Sequence, residues 1–482
     1  MKPADTLKPP VPVRLVPAFF ALSLSYLLLG LLFGTVGSLQ YVLPDFLKEA
    51  LSFQKTRPLH VYLVTSWIFT AAQGAVYYFL PRAAGRPLRW PAGAWLHWAL
   101  QLLTSAIIVG CFFTGRFGGR EYLEFPPALG GLIALSWVPF AVNFFATLRP
   151  RYRNAPVYHY SWTVGIVFFF ITLSESYLWL VDHFFDNPVR DITVQWKALG
   201  SMVGSWNMLI YGCTMFVMSR IKGNEELARS RGAFFFFFLG FTNLLFNWGH
   251  HTYVVPAAPW VRNVSYIISM TELVLLAQLL WNFRRSLSEA QLSFRKLTCR
   301  LISLADGWVL LNLTVAIAIS VPALNRYTHG THITVAHAMG ATIGINTMLL
   351  LASLTYVLQQ EKPRALARYL GPLKRGVTLT NGALLVFWIA LVGGGLVKIA
   401  GQLESQSFAT IMQHCAPFFK LFAGSGLLIL VGLTMVIFGL LGVLAAREGR
   451  PAATAPKAGV GRSRQPANAH APQAASQAPA QV

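Results

Sequence analysis

Apolar residues run through this chain in blocks of twenty or more, parted by short polar stretches. About 20 such residues suffice to carry a helix across the hydrocarbon core of a bilayer. Twelve blocks of this kind stand at 15–40, 59–80, 92–113, 126–148, 157–182, 195–219, 233–255, 260–283, 300–321, 333–358, 377–400 and 416–445. The pattern predicts an all-α integral membrane protein of about twelve transmembrane helices. It divides the chain into an N-terminal segment 1–14, a membrane domain 15–445 and a tail 446–482. The tail is rich in Ala, Pro, Gln and Arg, a composition that predicts disorder.

Composition agrees: 55% of the 482 residues are hydrophobic and only 12% are charged, which is membrane usage rather than soluble usage. The net charge of +22 would suit nucleic acid, but the basic residues sit in short connections between apolar blocks, the membrane pattern. Every connection after an even-numbered span is basic: Arg82, Arg86 and Arg89; Arg149, Arg151 and Arg153; Arg220, Lys222, Arg229 and Arg231; Arg284, Arg285, Arg295 and Lys296; Lys362, Arg364, Arg368, Lys374 and Arg375. About 28 of the 39 Lys and Arg fall on this side with the two termini, and the positive-inside rule then places both termini in the cytoplasm. No cleavable signal peptide is expected, because the first apolar run is long enough to span. Cys111, Cys213, Cys299 and Cys415 are isolated, so neither a thiolate cluster nor a covalently attached c-type heme is expected.

Ionisable residues inside a span are costly and mark candidate sites. Four places qualify: His60, the pair His250-His251, Glu272, and His337 with Met339. On a helix, His337 and Met339 point about 200° apart. Imidazole and thioether both ligate heme iron, so one helix could hold a heme on each flank. A core histidine with a hydrogen-bonded neighbour and a gap-filling methionine is the alternative. Adjacent histidines can share a metal where a helix end is distorted, and imidazole suits Cu, Fe or Zn. Asp306, Asn312, Asn346 and Asn381 read as packing glue between helices, and His159 as structural.

These residues sit in longer runs. Gly34 to Phe46 closes the first span; His60, Trp67 and Gly74-Ala75-Val76-Tyr77-Tyr78 lie in the second. Gly119-Arg120-Glu121-Tyr122-Leu123-Glu124-Phe125-Pro126 forms an outer loop, and Tyr327-Thr328-His329-Gly330-Thr331 leads to His337. Over nearly the whole chain except the tail, this set resembles the large subunit of the cytochrome c-dependent nitric oxide reductases, in the heme–copper oxidase superfamily. The resemblance implies a subunit I-like helical bundle in a bacterial inner membrane. It implies two b-type hemes, with His60 on the low-spin heme and His337 on the high-spin heme. It also implies a non-heme metal on His250 and His251, with Glu272 approaching that metal or relaying protons, and a calcium ion at Glu121 or Glu124. Electrons would come from a cytochrome c subunit or a quinol.

The chain departs from the family at two places. Met339 stands where the family has the second histidine of the low-spin heme, which implies a His60/Met339 heme of raised potential. On the sixth span, Leu199 replaces a metal histidine, Val203 a ligating glutamate and Asn207 a second glutamate. These positions are four apart and share one helix face. The metal then has His250, His251 and either Glu272 or Asn207; a 2-His-1-carboxylate set suits iron(II) better than copper. The run Thr242 to Trp248 has no tyrosine, and Leu199 leaves no histidine on the sixth span for a tyrosine to cross-link. The expected reaction is therefore reduction of NO to nitrous oxide, with Glu272 and Asn207 as catalytic candidates. The other readings are a terminal oxygen reductase and a heme-binding protein that is not an enzyme.

Overall fold

The computed structural model describes residues 12, 14–149, 152–274 and 297–447. Among the described residues the principal helices are α1 (Leu15–Leu39), α2 (Phe53–Ala84), α3 (Pro91–Phe113), α4 (Ala128–Leu148), α5 (Val157–Glu175), α6 (Pro188–Lys222), α7 (Arg231–Phe246), α8 (Pro259–Met270), α9 (Leu297–Ser320), α10 (His332–Glu361), α11 (Pro363–Leu403) and α12 (Phe408–Ala445). Among the described residues, ten helices are long and apolar enough to cross a membrane. The sixth expected span is α6; the eighth, 260–283, lies outside the described residues beyond 274. So do most of segments 1–14 and 446–482 and the four basic residues from Arg284 to Lys296.

The helices overrun their apolar blocks. Residues 363–376 of α11 and 408–415 of α12 are helical although the blocks begin at 377 and 416. Hydropathy registers only the stretch that must face hydrocarbon, while backbone hydrogen bonding carries the helix on into the polar interface. The ends follow local chemistry. Proline opens α3, α6, α8 and α11, where its missing N–H costs nothing. Ser230 and Ser407 cap α7 and α12 by accepting from Ala233 N at 3.1 Å and Thr410 N at 3.2 Å.

Helices pair as neighbours in sequence: α1 on α2, α3 on α4, α5 on α6 and α11 on α12. Burial is uneven. In the most apolar window of α2, 83% of residues are buried, and in that of α10 78%, against 22% for α7. The two helices at the centre of the bundle are therefore the two that carry His60 and His337. Asn381 supports the packing reading of the intramembrane amides: it accepts from Trp308 Nε1 at 2.9 Å and donates to Val377 O at 2.8 Å.

Candidate heme and metal site

His60 lies two turns into α2, against α1. Its Nδ1 is 2.8 Å from the carbonyl oxygen of Gly30. A carbonyl can only accept, so Nδ1–H donates and the Nε2 lone pair is left for a metal. Gly34, one turn along α1, makes room for the ring: a Cβ there would come within 2.5 Å of Nδ1. Two turns beyond His60 on the same face, Trp67 Nε1 donates to Thr347 Oγ1 of α10 at 3.2 Å. The two central helices are thus tied together by a buried hydrogen bond.

His337 and Met339 lie in the α-helical part of α10, His332–Met339, so the two side chains do leave on opposite flanks. The next eight residues, Gly340–Thr347, wind as a π-helix. There Thr347 Oγ1 donates to Thr342 O, five residues back, at 2.8 Å. Apolar periodicity carries no signal for this widening. His337 Nδ1 is buried and makes no hydrogen bond of ordinary geometry within the protein, although the Asn312 backbone faces the ring; such a nitrogen can be satisfied by water, an ion or a ligand. An oriented ring with a free Nε2 at His60 and an orphaned nitrogen at His337 both fit heme ligation. Met339 is half-buried against the central core.

His250 and His251 occupy a short 3-10 stretch, Asn247–Thr252, which is the distorted helix end that adjacent ligands require. Their ring centroids are 4.2 Å apart. The His251 ring stacks on Trp196 of α6 at 4.6 Å with planes 7° apart. His337 and His329 are near enough to interact electrostatically with both rings. Asn247 Oδ1 is 3.1 Å from His250 Nδ1, and Asn247 Nδ2 donates to Glu272 Oε1 at 3.0 Å. The other carboxylate oxygen, Glu272 Oε2, is buried without a partner.

The expected metal set is not gathered in this arrangement. Among the described residues no three of His, Cys, Asp and Glu gather as a metal-binding group. Glu272 does not complete a 2-His-1-carboxylate triad, because the Asn247 amide stands between it and His250. The face of α6 supplies no imidazole or carboxylate: Leu199 is packed away and Val203 is 39% exposed, while Asn207 Oδ1 is buried without a partner. The two imidazoles fit a metal, but two donors alone do not fill an iron site. Asn247, Trp196 and His329 escaped the sequence reading as site residues; the one available signal was an asparagine three residues before His250. Two tyrosines also come near. Tyr211, one turn past Asn207, interacts electrostatically with Glu272, and the buried Tyr253 hydroxyl has no partner.

Glu121 and Glu124 are brought together in the loop between α3 and α4, where a guanidinium lies against both. Arg57, one turn before His60, pairs with both; its Nη1 is 2.7 Å from Glu124 Oε1. Burial raises the Glu124 carboxyl above its ordinary range while Arg57 opposes the shift. Calcium takes six to eight oxygens, and two carboxylates already neutralised by arginine do not form that cage.

The fold and these sites define a multi-pass helical membrane protein with imidazoles on its two central helices. The family model for cytochrome c and quinol oxidase polypeptide I matches residues 14–428, and the chain belongs to that family, the heme–copper oxidase subunit I proteins. Its members are oxidoreductases that bind hemes and a metal centre. Among curated proteins, the chain is 24% identical over 455 residues to a nitric oxide reductase subunit of Stutzerimonas stutzeri, covering 87% of this chain and 92% of that one. It is 23% identical over 357 residues to the cbb3-type cytochrome c oxidase subunit CcoN1 of the same organism, covering 71% and 72%. Among solved structures, a heme–copper terminal oxidase dimer seen by cryo-electron microscopy superimposes with a TM-score of 0.69 at 14% identity, over 90% of this chain and 84% of that one. This last likeness speaks to the fold.

Proposed function

We propose that this chain is the heme-carrying catalytic subunit of a nitric oxide reductase-type enzyme, performing 2 NO + 2 e⁻ + 2 H⁺ → N₂O + H₂O. His60 and Met339 would hold a low-spin b heme and His337 a high-spin b heme, and His250 with His251 would supply two of the donors to a non-heme iron. When bound, these groups would relay electrons from the donor and act as the Lewis acid. The protein's own residues orient and protonate. Asn247 steadies His250, Trp196 steadies His251, and Glu272 handles protons through the oxygen that has no partner. Leu199 and Val203 keep the α6 side apolar.

The observation that carries the reading is the chain Glu272–Asn247–His250 beside His337. A carboxyl group one amide away from the imidazoles is placed to deliver protons without ligating the metal. Both termini lie in the cytoplasm of a bacterial plasma membrane, so the site faces the outer half of the bilayer. The electron donor is a separate cytochrome c subunit or a quinol.

The test is heme and metal analysis of the purified protein, followed by anaerobic NO consumption with an artificial reductant. The expected result is two protohemes, one further iron, and one N₂O for every two NO. Oxygen uptake without NO turnover would instead mean a terminal oxidase. The lack of a third metal donor among the described residues favours a second reading, a heme protein with no catalytic metal. Two hemes, no further iron and no turnover would establish it.

A further inference from the structure

We propose that Asn247 is the positioning residue of this site: one side-chain amide fixes both the His250 ring and the Glu272 carboxylate. This rests on the reading of His250 as a metal ligand beside the His337 heme. An amide has an acceptor at one end and a donor at the other. The Oδ1 end meets His250 Nδ1 at 3.1 Å and also accepts from Ser269 Oγ. The Nδ2 end donates to Glu272 Oε1 at 3.0 Å. Because Oδ1 only accepts, Nδ1 of His250 carries the proton and Nε2 is left as the coordinating nitrogen. Turned round, the amide would set its oxygen against the Glu272 carboxylate oxygen, so the carboxylate fixes its orientation.

The backbone around the amide is clamped as well. Ser265 Oγ of α8 donates to Asn247 O at 3.2 Å, and Asn325 Nδ2 donates to His250 O at 3.2 Å. The amide thus serves two side chains from different segments, the 3-10 turn and the stretch just past α8. It does so on the side of the site where α6 supplies carbon at 199 and 203. Other residue types fail for stated reasons. Aspartate can accept from His250 but cannot donate to Glu272, and sets two carboxyl groups against each other. Leucine, branched at the same carbon, leaves both partners unsatisfied.

The experiment compares Asn247→Leu, Asn247→Asp and Ser269→Ala with the wild-type holoprotein. Carbon monoxide on the reduced high-spin heme is the probe, read by the C–O stretching band, alongside the retained non-heme metal. The expected wild-type result is one narrow band. Asn247→Leu and Asn247→Asp should each shift or split it and weaken metal retention about 10–100-fold, the usual cost of losing an outer-shell partner. Ser269→Ala should move the band in the same direction by less. Unchanged heme content and helicity show that each variant is folded. If Leu fails to fold, the nearly isosteric Asp variant decides.

A band and metal affinity within twofold of wild type in the Asn247 variants would overturn the proposal. So would failure of the wild-type protein to bind heme at His337. If the wild type consumes no NO yet the variants move the band, the nitric oxide reading falls and the positioning role stands. Turnover in the wild type with silent variants gives the reverse.

Discussion

The His60 side and the His250 side of this molecule are held by different means. At His60 the backbone does the holding: a carbonyl of α1 orients the ring and a glycine of α1 makes the space, in the most buried helix of the bundle. At His250 side chains do it: an amide, a serine hydroxyl and an indole face, in a 3-10 turn beside one of the least buried helices. A site built from backbone tolerates sequence change elsewhere. A site built from side chains can be rebuilt residue by residue. Positions 199, 203 and 207, where the sequence is expected to depart from the family, fall in the second region, so such changes would alter that site while leaving the fold intact.

Gly34→Val should break the contrast most sharply. Its Cβ would overlap the His60 ring, and overpacking of this kind costs about 1–3 kcal/mol. The expected outcome is loss of the low-spin heme spectrum with the high-spin heme kept; retention of both spectra would refute a backbone-built site. Glu272→Gln keeps the acceptor for Asn247 but cannot release a proton. Turnover should fall about 10²–10⁴-fold with heme content unchanged.

Met339→His should lower the potential of the low-spin heme in a redox titration without changing stoichiometry. An unmoved potential would remove Met339 from the ligand set. Arg57→Gln should have the smallest effect. Side-chain exposures of 36% for Arg57, 42% for Glu121 and 15% for Glu124 limit the loss to about 1 kcal/mol. Its sign with pH follows from Glu124. Burial already makes this carboxyl harder to ionise, and removing Arg57 makes it harder still. The loss should therefore be largest at neutral pH and fade as Glu124 takes up its proton in acid, a trend to be read from thermal melts across that range.

Apolar blocks were enough to locate the helices, because lipid tolerates only stretches that satisfy their own backbone. They misplaced ends wherever a helix runs into the interface, as at Pro363. The positions of His60, His250, His251, Glu272 and His337 were legible because polar groups in lipid are rare. Their surroundings were not. Asn247 looks like an ordinary polar residue at a helix end, Trp196 like an interface aromatic, and the π-helix after Met339 like any apolar run.

Sequence alone determined the membrane class, the helix order and the imidazoles, since burial in hydrocarbon constrains composition directly. Only the tertiary structure decided which groups meet. It placed Arg57 on Glu121 and Glu124 and set an amide between Glu272 and His250, because contacts between distant segments depend on helix rotation and depth. Those follow from packing across the whole bundle, and no single stretch of the chain encodes them.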